Sequence, residues 1–135
     1  MRINNLKWAF PIAFVAVCVA FLAFKPAPAK LAETTLYFKY QPTNNFSSTS
    51  VTSNSNWELV DPSQTCEQEE NDVACSFSIT VSEVDEASYL TGSNPSSRVK
   101  IQANGSGLNY HVADVVDNAT SSNNLEPEIA NIERP

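Results

Sequence analysis

Between Cys66 and Cys75 lie Glu67, Glu69, Glu70 and Asp72, the densest run of charge in a chain of 135 residues. Carboxylates crowded onto a closed loop have the chemistry to hold calcium, a hard cation that takes about six to eight oxygen ligands. The run lacks the glycine and the ligand spacing of an EF-hand loop, and adjacent glutamates point in different directions on any regular backbone. A solvated apex turning at Asn71 and Asp72 is therefore the first expectation for the segment, and calcium held by Glu67, Glu69, Glu70 and Asp72 the second. The flanking thiols admit a disulfide, a redox pair or a zinc site. A redox pair is usually separated by two residues, and zinc wants four Cys or His ligands. Here eight residues separate the thiols and His111 is the sole histidine, so a structural disulfide between Cys66 and Cys75 is expected. In the chain-entropy model a loop of this size contributes about 2.5–3 kcal/mol.

Catalytic candidates are few. A Ser or Cys nucleophile needs a base, and His111 shares the polar face of an expected strand with Asn109, where an imidazole meets solvent. Asp114 with Asp117, or Asp85 with Glu86, has the residue types for acid–base work but no accompanying motif. The three glycines, Gly92, Gly105 and Gly107, all sit in turn contexts, which leaves no phosphate-cradling loop and no nucleophile elbow. Asn-x-Ser/Thr triplets at Asn45, Asn104 and Asn118 occur as often as chance predicts in a chain this rich in Asn, Ser and Thr. The expectation is a chain with no catalytic residues, no cofactor and no enzymatic activity.

The N-terminus supplies an address. Arg2 and Lys7 precede residues 8–24, an uncharged and largely apolar stretch, and Ala27-Pro28-Ala29 follows. That is the layout of an export signal cleaved after Ala29, with Ala27 and Ala29 as the small residues of the cleavage site. The apolar stretch is 17 residues long and carries Pro11, at the short end of what spans a bilayer, so a retained membrane anchor is the second reading. Cys18 follows Val17 inside the apolar stretch, not the very small residue that lipid attachment wants, and reads as part of that stretch. Without residues 1–29 the chain keeps five Lys or Arg (Lys30, Lys39, Arg98, Lys100 and Arg134) against fifteen Asp or Glu, a formal charge of −10. Nucleic acid is excluded as a partner, since binding it requires clustered cations to neutralise phosphates.

Periodicity then gives the elements that would position these groups. In residues 34–41, Leu36, Phe38 and Tyr40 alternate with Tyr37, Lys39 and Gln41, a half-buried strand ended by Pro42. Twelve of the fourteen residues 43–56 are Ser, Thr or Asn, too little apolar surface to offset ordering, so a long loop or a weak edge strand is expected. Residues 57–60, from Trp57 to Val60, read as a short strand before Asp61-Pro62. Residues 73–82 place Val73, Cys75, Phe77, Ile79 and Val81 on one face and Ala74, Ser76, Ser78, Thr80 and Ser82 on the other, a strand with one face in the core and residues 57–60 as its expected antiparallel neighbour. Residues 85–90 suit one helical turn. Residues 97–103 and 108–116 form a hairpin about Asn104-Gly-Ser-Gly107, with Leu108, Tyr110 and Val112 on the returning core face.

These elements predict an all-β domain over residues 30–116, a small antiparallel meander, barrel or sandwich of about five to seven strands that follows an N-terminal hydrophobic signal helix (residues 1–29). Residues 117–135, with Ile129 and Ile132 as their apolar anchors, are expected to be a polar, loosely ordered tail.

The Phe24-Lys-Pro-Ala-Pro-Ala-Lys30 junction, Trp57 followed by Cys66 and Cys75, and the Ser-rich alternating strand together resemble the small uncharacterised exported two-cysteine proteins of Bacteroidetes. The resemblance covers residues 1–81 and implies a bacterial periplasmic or surface setting with a structural two-cysteine bridge; it implies no activity. The function expected is that of a noncatalytic envelope or secreted module, structural or binding another surface macromolecule through exposed aromatics such as Tyr37. A calcium-dependent module is the alternative, and membrane contact enters only through an uncleaved leader.

Overall fold

The structure, a computed structural model, describes residues 29–120 and 125–135. The leader readings, including Cys18 and Ala27 of the cleavage motif, lie outside the described residues. Eight strands follow one another among the described residues: β1 (Glu33–Tyr40), β2 (Trp57–Leu59), β3 (Val73–Ser82), β4 (Leu90–Thr91), β5 (Asn94–Pro95), β6 (Val99–Ser106), β7 (Asn109–Asp117) and β8 (Glu128–Ile132). Among the described residues helix is confined to the single turn α1 (Ser48–Val51) and three short 3-10 turns, one of them at Glu86–Tyr89 within the expected turn at residues 85–90.

The alternation of β1 sorts its side chains as expected: Leu36, Phe38 and Tyr40 are buried, while Tyr37 and Lys39 lie on the other face and are only partly covered. β1 bonds along both edges. On one side it takes β2, with Tyr40 opposite Trp57, and on the other β3, with Phe38 opposite Phe77. β8 adds beyond β3, giving a four-stranded antiparallel sheet of order β2-β1-β3-β8. β6 and β7 form a separate antiparallel ribbon, and β4 and β5 a minimal hairpin. The core lies between sheet and ribbon, where Val99, Ile101, Val112 and Val115 join Leu36, Phe38, Phe77, Ile79 and Val81 in one apolar cluster.

Four expectations are corrected or sharpened. First, β2 pairs with β1, not with β3; Trp57 still reaches the same core face, its ring 4.8 Å from that of Phe77. Second, β3 is buried on both faces from Val73 to Ile79, because it is central in the sheet and residues 65 and 66 lie over its serine face, where Cys66 N–H donates to Ser76 Oγ at 3.0 Å. A bulge between Ala74 and Ser76 also interrupts the simple alternation at Cys75. Third, residues 43–56 are a loop, the first of the two readings, but one that carries α1 and a 3-10 turn at Asn54–Asn56 and is held to the core. Phe46 and Val51 enter the core, and polar side chains take up the backbone: Asn56 Nδ2 donates to Ser50 O (2.9 Å), Asn54 Nδ2 to Ser96 O and Val99 O (2.6 and 2.9 Å), and Tyr40 Oη to Asn45 O. Side-chain hydrogen bonding supplies what the scarcity of apolar surface withheld. Fourth, the tail expected to be loose contains β8, which pairs with β3 from Val73 opposite Ile132 to Ser78 opposite Glu128.

The hairpin also turns later than expected. Ser106 faces Asn109, so the loop is Gly107-Leu108, with Gly107 at φ +63° in the first central position, where a type II′ turn takes glycine. Leu108 is thereby exposed at the tip and not on the core face. Gly105 lies where a Cβ would collide with the Asn109 carbonyl, so no larger residue fits.

Asn131 joins ribbon to sheet. Its side-chain amide accepts from Val112 N–H at 3.1 Å and donates to Val112 O at 3.0 Å, taking the place of a neighbouring strand's peptide group. It is 3% exposed. Replacing Asn131 with Ala strands both Val112 groups in a dry site, and we expect a loss of about 2–3 kcal/mol. Urea unfolding of wild type and Asn131→Ala side by side checks this; equal midpoints would show that the amide bridge contributes nothing.

Candidate functional site

The bond between Cys66 and Cys75, with Cα atoms 6.1 Å apart, closes the acidic loop. The loop runs along the outer edge of β8: Glu69 N–H donates to Asn131 O at 3.0 Å, and Gln68 Oε1 accepts from Asn131 N–H at 2.8 Å. Asn71 Oδ1 accepts from Gln68 Nε2 (3.1 Å) and from Asn131 Nδ2 (3.2 Å). The amides and the backbone thus make these contacts, while Glu67, Glu69, Glu70 and Asp72 stay exposed. Among the described residues no group of three or more His, Cys, Asp or Glu is placed to hold a metal ion. The loop thus lies as the first reading had it, exposed, and the ligand set of the alternative calcium reading, Glu67, Glu69, Glu70 and Asp72, is not brought together, because a loop pinned along a strand edge does not curl its carboxylates toward a common centre.

The other candidates are also kept apart. Asp114 and Asp117 differ by an odd number of positions on β7 and face opposite sides; Asp117 is buried and Asp114 is not. Asp85 caps the Glu86–Tyr89 turn through its carbonyl, which accepts from Ser88 N–H at 2.8 Å and Ser88 Oγ at 2.7 Å. His111 is half-buried in a recess shared with Gln68, Asn71, Ala113 and Ile129, whose lining holds no hydroxyl or thiol for it to activate.

A network the sequence reading missed surrounds Asp117. Arg98 Nε and Nη2 donate to its Oδ2 at 3.1 and 3.0 Å, Tyr89 Oη donates to the same oxygen at 2.9 Å, and Ala119 N–H donates to Oδ1 at 2.8 Å. The guanidinium lies 4.1 Å from the centre of the Tyr89 ring. The hairpin register makes the pair legible afterwards, since Val99 faces Asp117 and Arg98 is its neighbour. The Arg98 guanidinium, chiefly by hydrogen bonding, holds the Asp117 carboxyl below its ordinary value, and the same bond raises Arg98. Burial, then the Asp117 hydrogen bond, raises the Tyr89 phenol. This network is internally satisfied and reads as a clamp between the ribbon and the Glu86–Tyr89 turn.

The open polar feature lies on the sheet face away from the core. The register sets Tyr37 of β1 opposite Ser78 of β3, and Ser78 opposite Glu128 of β8, one row across three strands. Thr65, Cys66 and Ser76, with the apolar Phe77, Ile129 and Ala130, complete the lining of a groove of about 210 Å³ over this row. Ser78 is 5% exposed as a residue, and its hydroxyl, which has no hydrogen-bond partner among the described residues, opens on this groove; the buried hydroxyl without a partner among the described residues is that of Ser82. In the next row Thr35 and Thr80 bring their hydroxyls to 3.3 Å of each other. The period-two reading placed Ser78 on this face and named Tyr37 as an available aromatic. Glu128 has no such signal, because nothing local in the polar tail marks a strand there.

No family model, curated protein or solved structure matches the chain.

Because folding lowers the Asp117 pKa, the stabilisation it contributes is complete above the ordinary carboxylate range and is lost as the pH falls through the folded-state value. Asp117→Asn is expected to cost about 2–3 kcal/mol at neutral pH. The gap between variant and wild type should close in acid, and melting curves collected across the acid range give the measurement; a gap independent of pH would refute the assignment.

Proposed function

We propose that this chain is a noncatalytic exported β module of a cell envelope or its surroundings, one that binds another surface macromolecule. The observation that carries the reading is the Cys66–Cys75 bond in a domain that follows an apolar, positively headed leader. Disulfides persist in oxidising spaces and are rare where thiols are kept reduced. An excess of acidic residues keeps such a module soluble and away from anionic lipid and nucleic acid. The resemblance to small exported two-cysteine proteins of Bacteroidetes is consistent with a periplasmic or surface setting. In support of a noncatalytic role, the Arg98–Asp117–Tyr89 cluster has its strong polar groups bonded to one another, and His111 has no nucleophile beside it. The groove over Ser78 favours binding, since it sets a hydroxyl without a protein partner in one row with Tyr37 and Glu128, open to a ligand or to water.

Intact-mass analysis of the chain recovered from the extracytoplasmic fraction tests the address. The expected species begins at Lys30 and is two hydrogens lighter than its reduced form. A full-length chain with free thiols in the cytoplasm would overturn the proposal.

Cys75→Ser should lower stability by about 2–4 kcal/mol. If reduced and oxidised protein melt together, the bridge contributes no stability and the argument from compartment loses its support.

A further inference from the structure

We infer that the groove formed by Tyr37, Ser78 and Glu128 binds one neutral sugar residue of a surface glycan. The inference rests on the reading of the chain as a surface-binding module and names the chemistry of what it binds. Strands in a sheet lie about 4.8 Å apart. A row of three therefore places an aromatic ring, a hydroxyl and a carboxylate side by side over roughly 10 Å, the width of a single pyranose ring and its substituents.

Each group has a part to play. Tyr37 is partly exposed and lines the groove, and no bond holds its hydroxyl among the described residues, so the side chain offers both an aromatic surface and a polar tip. Ring faces carry negative charge density and attract the slightly positive C–H face of a sugar. Ser78, 5% exposed and unpartnered, can both donate and accept at the centre of the row. Glu128 is exposed at the other end and accepts from sugar hydroxyls through either oxygen.

Other ligand classes fit less well. The groove has no Lys, Arg or His in its lining and one carboxylate, so phosphate, sulfate and uronate are repelled. A lone carboxylate is too few hard ligands for calcium. At about 210 Å³ the groove falls below the roughly 300 Å³ at which cofactor-sized pockets begin, which favours one ring-sized unit of a longer chain. The lining mixes Thr65, Ser76 and Ser78 with Phe77, Ile129 and Ala130, where a site for a purely apolar ligand would be aliphatic throughout.

The test uses the oxidised domain, uniformly labelled with nitrogen-15, titrated with cellotetraose, maltotetraose and chitotetraose, with an oligoglucuronate as the charged comparison. At least one neutral tetrasaccharide should shift the amides of Tyr37, Ser78 and Glu128. Tyr37→Ala should weaken that binding about tenfold, equivalent to about 1.4 kcal/mol, while Tyr37→Phe, which keeps the ring, binds more nearly as wild type. Ser78→Ala should weaken it about three- to tenfold. Circular dichroism establishes that each variant is folded.

Binding that survives Tyr37→Ala overturns the site, and preference for the oligoglucuronate overturns the neutral assignment. If no saccharide moves these amides while the protein is still retained by isolated envelope, the sugar site fails and the surface-binding reading stands. Absence of both kinds of binding overturns the two together.

Discussion

The fold is organised around the burial of one indole. Trp57 is fully buried, with its ring 5.0 Å from Tyr40 and 4.8 Å from Phe77, the latter at 61°, an edge-on contact that aromatic quadrupoles favour. Its Nε1–H donates to Val51 O at 2.8 Å, so the one polar atom of the ring is satisfied in the core. Phe46 extends the series beyond Tyr40, and Phe38 beyond Phe77. Through this line of rings the Ser/Thr/Asn segment, β1, β2 and β3 share one packing solution. A three-residue strand such as β2 has too few ladder bonds to hold its place alone; Trp57 anchors it.

Around that core, asparagine side chains do what longer strands would do elsewhere. Asn131 serves as a peptide group for Val112, Asn54 reaches the carbonyls of Ser96 and Val99, and Asn94 Nδ2 bonds Trp57 O on the outer edge of β2. An amide offers the same donor and acceptor as the backbone, so it can end a ladder without leaving an open edge. The abundance of Asn, which composition alone would assign to flexible loops, goes in these cases into tertiary bonding.

This explains which features could be read from the chain. The alternation in β1 and β3 is local, and both strands stand where period two placed them. Pairing is not local: residues 57–60 are equally suited to β1 and β3, and the choice follows from how the segment before Trp57 folds back through Tyr40, Ser50 and Asn56. The bulge at Cys75 and the strand Glu128–Ile132 were hidden for the same reason, since a bulge shows only against a partner, and β8 holds just two strongly apolar residues. At the polar groove, Tyr37 and Ser78 could be assigned to their face from sequence. Their alignment with Glu128 depends on a register spanning 91 positions of the chain.

The route from compartment to groove is continuous. The bond to Cys75 restrains Cys66 and, with it, the start of the acidic loop; Gln68, Glu69 and Asn71 of that loop hold Asn131; Asn131 fixes β8 between β3 and the ribbon, and β8 carries Glu128 to the row with Ser78 and Tyr37. Each link is a contact of ordinary strength, about 1 kcal/mol for a hydrogen bond, so none dominates. The covalent bond is the exception, and its Cys66 also lines the groove directly, together with Glu128. In a reducing space the loop would gain freedom first, then the edge of β8, while the ring-packed side of the sheet at β1 and β2 kept its contacts. The acidic loop thus matters as a strap for the third strand of the groove, a role its own carboxylates do not advertise.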